Sequence, residues 1–123
     1  MLLDVRKLVF SDDLLKRAIL EYFLDQKMQH PQSQIQKIRF LGTPGEKAQA
    51  VVEFMTADPK NPVEIHLKED QVLTAMIMVC KAHHVPLPRD AVKVLQLTKQ
   101  GLAMTISMKV DTPPPAANQR RVS

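Results

Sequence analysis

The segment KEDQVLTAMIMVCKAHH, residues 68 to 84, constrains the fold more than any other stretch of this chain. Its apolar residues recur at helical spacing, and acidic residues occupy the first turn, as the helix dipole favours. Apolar side chains cover most of the circumference and leave only a narrow polar strip. A helix of this kind must be covered by other elements on most sides. We therefore expect it at the centre of the hydrophobic core.

A second helix is predicted from Asp12 to Met28. Ser11 is a good N-cap, because its hydroxyl can accept a hydrogen bond from an otherwise unpaired first-turn amide. The apolar residues of this helix form two stripes, and one stripe is enough to dock a helix on a sheet. The second stripe, Leu20, Leu24 and Met28, needs another neighbour, either elsewhere in this chain or on a partner.

Alternation of apolar and polar residues at period two predicts about five strands. They lie at residues 34–41, 48–55, 63–67, 91–97 and 102–110. A glycine-proline-glycine turn joins the first two strands, and Gly101 permits a tight hairpin between the last two. The predicted order is α-β-β-β-α-β-β. Hairpin connections favour one mainly antiparallel sheet carrying both helices, an α+β fold. No internal repeat is evident.

Residues 1–110 are expected to form a single domain. The segment 111–123, DTPPPAANQRRVS, is rich in proline and poor in large apolar residues, so we predict a flexible, disordered tail. The two proline segments of the chain, VPLPR and TPPPAANQRR, lack the Pro-x-x-Pro spacing of docking peptides.

The composition is that of an ordinary globular protein, with 45% hydrophobic and 24% charged residues. The longest apolar run, Ala75 to Cys80, is far shorter than the roughly 20 residues that span a bilayer, and no membrane association is expected. The N-terminus lacks the features of a secretory signal. Cys80 is the single cysteine, so an intrachain disulfide cannot form. These features favour a cytoplasmic protein.

One cluster has the residue types of a metal site. Cys80, His83 and His84 have the spacing of one helix face, and His66 or His30 could supply a fourth ligand. A structural role explains the cluster better. Cysteine on an apolar face behaves as a small buried hydrophobe, and histidines in a last turn can bond free carbonyls. We expect this segment to end a helix and to bind neither metal nor cofactor.

Catalytic motifs are also missing from the sequence. The three glycines, at 42, 45 and 101, cannot form a phosphate-binding loop. The paired carboxylates at 12–13 and 69–70 lie in first turns of helices, where solvated dipole partners are the expected role. No acid–base pair stands out, so we do not expect an enzyme.

The net charge of +4 and the pI of 9.4 raise the question of nucleic-acid binding. The basic residues are scattered singly or in pairs, and aromatic residues are few, unlike typical phosphate-tracking surfaces. An accessory nucleic-acid protein using Lys37, Arg39, Arg120 and Arg121 is one alternative hypothesis. A small metal-binding protein using the Cys80, His83, His84 and His66 candidates is the other. The sequence favours a non-enzymatic interaction module that binds another protein or a second copy of itself as a homodimer, with Leu20, Leu24 and Met28 in the contact.

Overall fold

The computed structural model describes residues 2–58 and 60–110 of the chain. The predicted tail at 111–123, including Arg120 and Arg121, lies outside the described residues. Over these residues the fold is α+β, as predicted, with two helices and six strands. In chain order the elements are β1 (Leu2–Phe10), α1 (Asp12–Asp25), β2 (Ile35–Leu41), β3 (Gln49–Phe54), β4 (Val63–Lys68), α2 (Glu69–Ala82), β5 (Val92–Thr98) and β6 (Gly101–Val110).

The prediction of about five strands in one sheet was wrong in two respects. An additional strand, β1, precedes the first helix, and the strands form two antiparallel three-stranded sheets. One sheet has the order β1-β6-β5 and is called the terminal sheet here, because it contains the first and last strands. The other has the order β2-β3-β4 and is called the middle sheet. Both predicted hairpins, β2–β3 and β5–β6, are confirmed.

Both predicted helices are present and each ends earlier than expected. The N-cap role of Ser11 is confirmed, since its hydroxyl oxygen accepts a hydrogen bond from the Leu14 amide at 3.2 Å. Helix α2 is central to the core, as its apolar circumference predicted: Val72, Ala75 and Met76 have no exposed surface. The two helices pack against each other. Neither helix of the described ranges has the length and apolar character needed to cross a membrane.

The structure contains an internal repeat, contrary to the sequence-based expectation. The order strand-helix-strand-strand occurs twice. Helix Asp12–Asp25 is followed 57 positions later by Glu69–Ala82, and strand Ile35–Leu41 is followed 57 positions later by Val92–Thr98. The hairpin loops differ, comprising residues 42–48 in the first half and only Lys99 and Gln100 in the second.

The same displacement relates the buried positions of the two helices. In α1 they are Leu15, Ala18, Ile19, Tyr22 and Phe23, and in α2 they are Val72, Ala75, Met76, Val79 and Cys80. Of these five pairs of equivalent positions, only Ala18 and Ala75 hold the same type of residue. Burial is therefore repeated while side-chain identity is not.

The two halves exchange their first strands. Strand β1, from the first half, pairs with β6, the last strand of the second half. Strand β4, from the second half, pairs with β3, the last strand of the first half. Each sheet therefore contains two strands of one half and one strand of the other, and each half depends on the other to complete its sheet.

Candidate interaction surface

Each sheet packs one face on the helical core, and the two opposite faces differ strongly in chemistry. In the middle sheet the outward side chains are set by the strand register around Val51, which lies opposite Arg39 and His66. They are Lys37, Arg39, Leu41, Gln49, Val51, Glu53, Glu64, His66 and Lys68. We call this set the charged face.

An ion-pair network lies across the charged face. The Arg39 Nε donates to Glu53 Oε2 at 2.8 Å, and Arg39 Nη2 donates to Glu64 Oε2 at 2.9 Å. These hydrogen bonds, first to Glu64 and then to Glu53, raise the pKa of Arg39 above its ordinary value. His66 Nε2 lies 3.9 Å from Glu64 Oε1. The charges of this face are largely matched within the chain.

This network bears on the predicted nucleic-acid residues. The Arg39 guanidinium is already engaged by two carboxylates, and a phosphate would have to compete with both of them. Lys37 is exposed and lies opposite Glu53 in the strand register. Arg120 and Arg121 lie outside the described residues, so the structure does not bring the four residues together. Nucleic-acid binding stays a prediction.

The terminal sheet presents a very different outward face. On the central strand β6, Ser107 lies opposite Val5 on one side and Val92 on the other, and Thr105 lies opposite Lys7 and Val94. The outward residues are Leu3, Val5, Lys7, Val9, Val92, Val94, Gln96, Thr98, Ala103, Thr105, Ser107 and Lys109. We call this set the open face. It contains no carboxylate, and its charged members are two lysines.

Five large apolar side chains of the open face are exposed to solvent. They are Leu3, Val5, Val9, Val92 and Val94. Leu3 and Val92 are each 61% exposed. Single exposed apolar residues are common on protein surfaces, whereas several on one contiguous sheet face indicate a contact surface.

The internal repeat provides a comparison between the two faces. At a displacement of 57, Lys37 of the charged face corresponds to Val94 of the open face, and Val9 corresponds to His66. In both halves of the repeat, these equivalent residues lie on the outward side of their sheet. The fold itself therefore tolerates a polar surface at these positions, and packing does not require the exposed valines.

The loop between β2 and β3 borders one edge of the terminal sheet. Gly45 lies close to this edge, since a Cβ placed on it would lie 3.2 Å from both the Leu95 carbonyl oxygen and the Val94 Cγ1. The Glu69 carboxylate holds this loop: Oε2 accepts a hydrogen bond from the Gly45 amide and Oε1 accepts one from the Ala48 amide, both at 2.8 Å. Glu69 is the first residue of α2, so the helix start fixes the loop beside β5.

The structure separates the three residues of the predicted helical contact. Leu24 is 68% exposed, but Leu20 and Met28 are half-buried and pack against the core. A single exposed leucine remains on this side of α1. Most of the second apolar stripe is therefore covered by other residues of the same chain.

The predicted metal candidates are also separated. Cys80 is buried, as predicted, and this burial raises the pKa of its thiol. His83 and His84 lie exposed at the end of α2, and His66 is on the charged face. His30 stacks on Phe23 with the ring centres 5.4 Å apart. Among residues 2–58 and 60–110, no three His, Cys, Asp or Glu side chains are grouped as metal ligands.

Protein-family models, curated proteins and solved structures contain no match to this chain. Sequence reasoning missed the open face because β1 was not recognised as a strand. A signal was present in the β5 segment AVKVLQL, where Val92 and Val94 fall on one side of the strand and the buried Leu95 on the other.

Proposed function

We propose that this chain is a non-enzymatic interaction module that binds another polypeptide through the open face of the terminal sheet. The observation that carries the proposal is the exposure of five large apolar side chains on one sheet face. Burial of apolar area is the main driving force of protein association, at roughly 25 cal/mol per Å². The proposal places the contact on the sheet rather than on the outer side of α1.

The charges of the open face specify the chemistry of the partner. Lys7 and Lys109 are its charged members, and carboxylates are absent from it. A complementary surface is apolar at its centre and acidic at its rim, because opposite potentials steer association and suppress wrong partners. We therefore propose a polypeptide partner that combines aliphatic side chains with Asp or Glu.

Photocrosslinking tests the location of this contact. A benzoylphenylalanine placed at Val94 reports on the open face, and the same probe at Leu24 reports on the outer side of α1. Both positions are exposed, Val94 at 39% and Leu24 at 68%, so Leu24 is a control on a different surface and is the more accessible of the two. We expect polypeptide adducts from position 94 in cell extract and few from position 24. Adducts formed mainly from position 24 would contradict the proposal and favour the helical contact.

Substitution tests the chemistry. Val92→Lys/Val94→Lys should weaken binding of the crosslinked partner at least tenfold, because it replaces two aliphatic contacts with charges. Lys7→Glu should weaken binding of an acidic partner, and raised salt should have the same effect. Leu24→Lys is the control and should leave affinity unchanged. Equal affinity of all variants would overturn the proposal.

A further inference from the structure

Strand β1 is a long sheet edge with an open side. It spans Leu2–Phe10 and forms hydrogen bonds with β6; in the part of the chain that the structure describes, no strand pairs with its other side. An edge strand presents a row of unpaired backbone donors and acceptors that can template pairing with another chain. Most proteins therefore protect such edges.

The other three edges of this fold carry recognisable protection. Strand β2 contains a bulge between Ile35 and Lys37. Strand β4 has only six residues, and its outward side chains Glu64 and His66 belong to the ion-pair network. The loop held by Glu69 lies beside β5. Bulges, short strands and covering loops are devices against edge pairing, and β1 has none of these three. Charged side chains are a further device, and β1 carries Asp4, Arg6 and Lys7. Asp4 and Arg6 are opposite in sign, so they can also pair with a second copy of the strand.

The sequence of β1 is complementary to itself in antiparallel orientation. When two copies align with Val5 opposite Val5, Asp4 of each copy lies opposite Arg6 of the other. Leu2 then lies opposite Leu8, and Leu3 opposite Lys7. Directly opposite residues on antiparallel strands share a face and lie close enough for side-chain pairs to contribute to pairing.

The same charges disfavour the neighbouring symmetric registers. Alignment centred on Arg6 sets two arginines opposite each other, and alignment centred on Asp4 sets two aspartates opposite each other. Like charges directly opposite are destabilising. Within one chain Asp4 and Arg6 make only a loose contact, Oδ2 to Nη2 at 3.7 Å, and both side chains are more than 40% exposed. They remain available to a second copy.

We propose that the partner at this edge is a second copy of the chain, bound through antiparallel β1–β1 pairing centred on Val5. The two terminal sheets then form one continuous six-stranded sheet. Seven residues of each β1, from Leu2 to Leu8, take part, a length of about 23 Å at the rise of a strand. This inference rests on the proposed function, because the use of the pairing is to place two open faces side by side.

Charge reversal in purified full-length protein tests the register. We expect wild type to sediment as a dimer, and Asp4→Arg and Arg6→Asp each to raise the dimer dissociation constant about tenfold or more, because two attractive pairs become repulsive. An equimolar mixture of the two variants should restore a heterodimer, since the two arginines of the Asp4→Arg chain then face the two aspartates of the Arg6→Asp chain. The controls Glu21→Arg and Lys60→Asp make the same charge changes at exposed positions on α1 and on the β3–β4 loop.

A cysteine pair gives an independent measurement. The alignment brings the two Val5 Cβ atoms within disulfide reach, whereas the two Val9 residues are about 26 Å apart. In a Cys80→Ala background, Val5→Cys should form a covalent dimer on mild oxidation and Val9→Cys should not. A monomeric wild type, a dimer indifferent to both charge reversals, or equal crosslinking at positions 5 and 9 would overturn the inference. A monomer that still forms adducts from position 94 would leave the proposed function standing, and a dimer that forms none would reject that function alone.

Discussion

Lys27 and His84 occupy the same position in the two halves, each in the left-handed conformation just beyond a helix, with φ of 54° and 58°. The surrounding hydrogen bonds match as well. The Met28 amide donates to the Phe23 carbonyl at 2.9 Å, and the Val85 amide donates to the Cys80 carbonyl at 2.8 Å. Both are the 6→1 bond of a Schellman motif, in which glycine is the favoured residue at the left-handed position. The two helices therefore end by one device.

Glycine at either position should stabilise the protein. Both side chains are exposed, so Lys27→Gly and His84→Gly remove backbone strain and lose little packing. After the entropic cost of glycine, we expect each to raise the free energy of unfolding by about 0.5–1 kcal/mol in urea denaturation. Lys81→Gly, inside the helix, is the control and should lower it by up to about 1 kcal/mol. A loss of stability in Lys27→Gly would contradict the assignment.

Alanine at Gly101 should be costly. Gly101 has φ of 143°, and a Cβ there would overlap the Phe10 carbonyl oxygen, where the β5–β6 hairpin meets the end of β1. Gly42 also has a positive φ, of 90°, but its nearest neighbour is the Ala48 Cα at an ordinary 3.5 Å. Gly42→Ala should therefore cost about 1–3 kcal/mol from strain alone. Thermal unfolding should show a larger loss of stability for Gly101→Ala than for Gly42→Ala. Equal losses in the two variants would exclude the steric contribution at Gly101.

Removal of the Glu69 carboxylate should release the loop beside β5. Glu69→Ala leaves the Gly45 and Ala48 amides without their acceptor and should cost about 1–2 kcal/mol, since the carboxylate is partly exposed. Hydrogen exchange at those two amides should rise before global unfolding. Asp12→Ala is the matched control, because the exposed Asp12 has the same place at the start of α1 and pairs there only with the half-buried Lys16. It should change stability by no more than about 1 kcal/mol.

The Cys80 thiol should make stability depend on alkaline pH. Burial raises its pKa in the folded state, so the neutral thiol is favoured by folding. The corresponding stability is fully present below the pKa of the unfolded thiol and is lost as pH rises towards the folded pKa. Urea denaturation between neutral and alkaline pH should show this decline in wild type and a weaker one in Cys80→Ala. Fast reaction of the folded protein with a thiol reagent at neutral pH would refute the burial.

Local patterns predicted the helices and five of the strands because each depends on residues close in sequence. Three local expectations are met: Ser11 caps α1, the wide apolar arc of α2 lies in the core, and Gly101 lies at the β5–β6 hairpin. Strand β1 was missed because Asp4 and Arg6 lie on the same side as Leu8 and Phe10, which breaks the alternation of a half-buried strand.

The sheet arrangement and the candidate surface depend on long-range pairing, which a single sequence does not contain. Strand exchange between the halves places β1 beside β6, the first strand of the fold beside the last. The repeat was hidden for a related reason. Equivalent core positions keep their burial but not their identity, as Phe23 and Cys80 illustrate. The outward valines of β5 indicate an exposed apolar surface only once β1 is known to lie in the same sheet.

The exchange of first strands has a consequence for synthesis of the chain. Strand β1 is synthesised before the other strands of the fold, whereas its hydrogen-bonding neighbour β6 is synthesised after all of them. Middle-sheet contacts can therefore form while translation continues, but the terminal sheet must wait until β6 has left the ribosome. Pairings so distant in sequence also close slowly. Throughout that interval the β1 segment is without its native neighbour, and an unpaired strand of this kind is prone to wrong association.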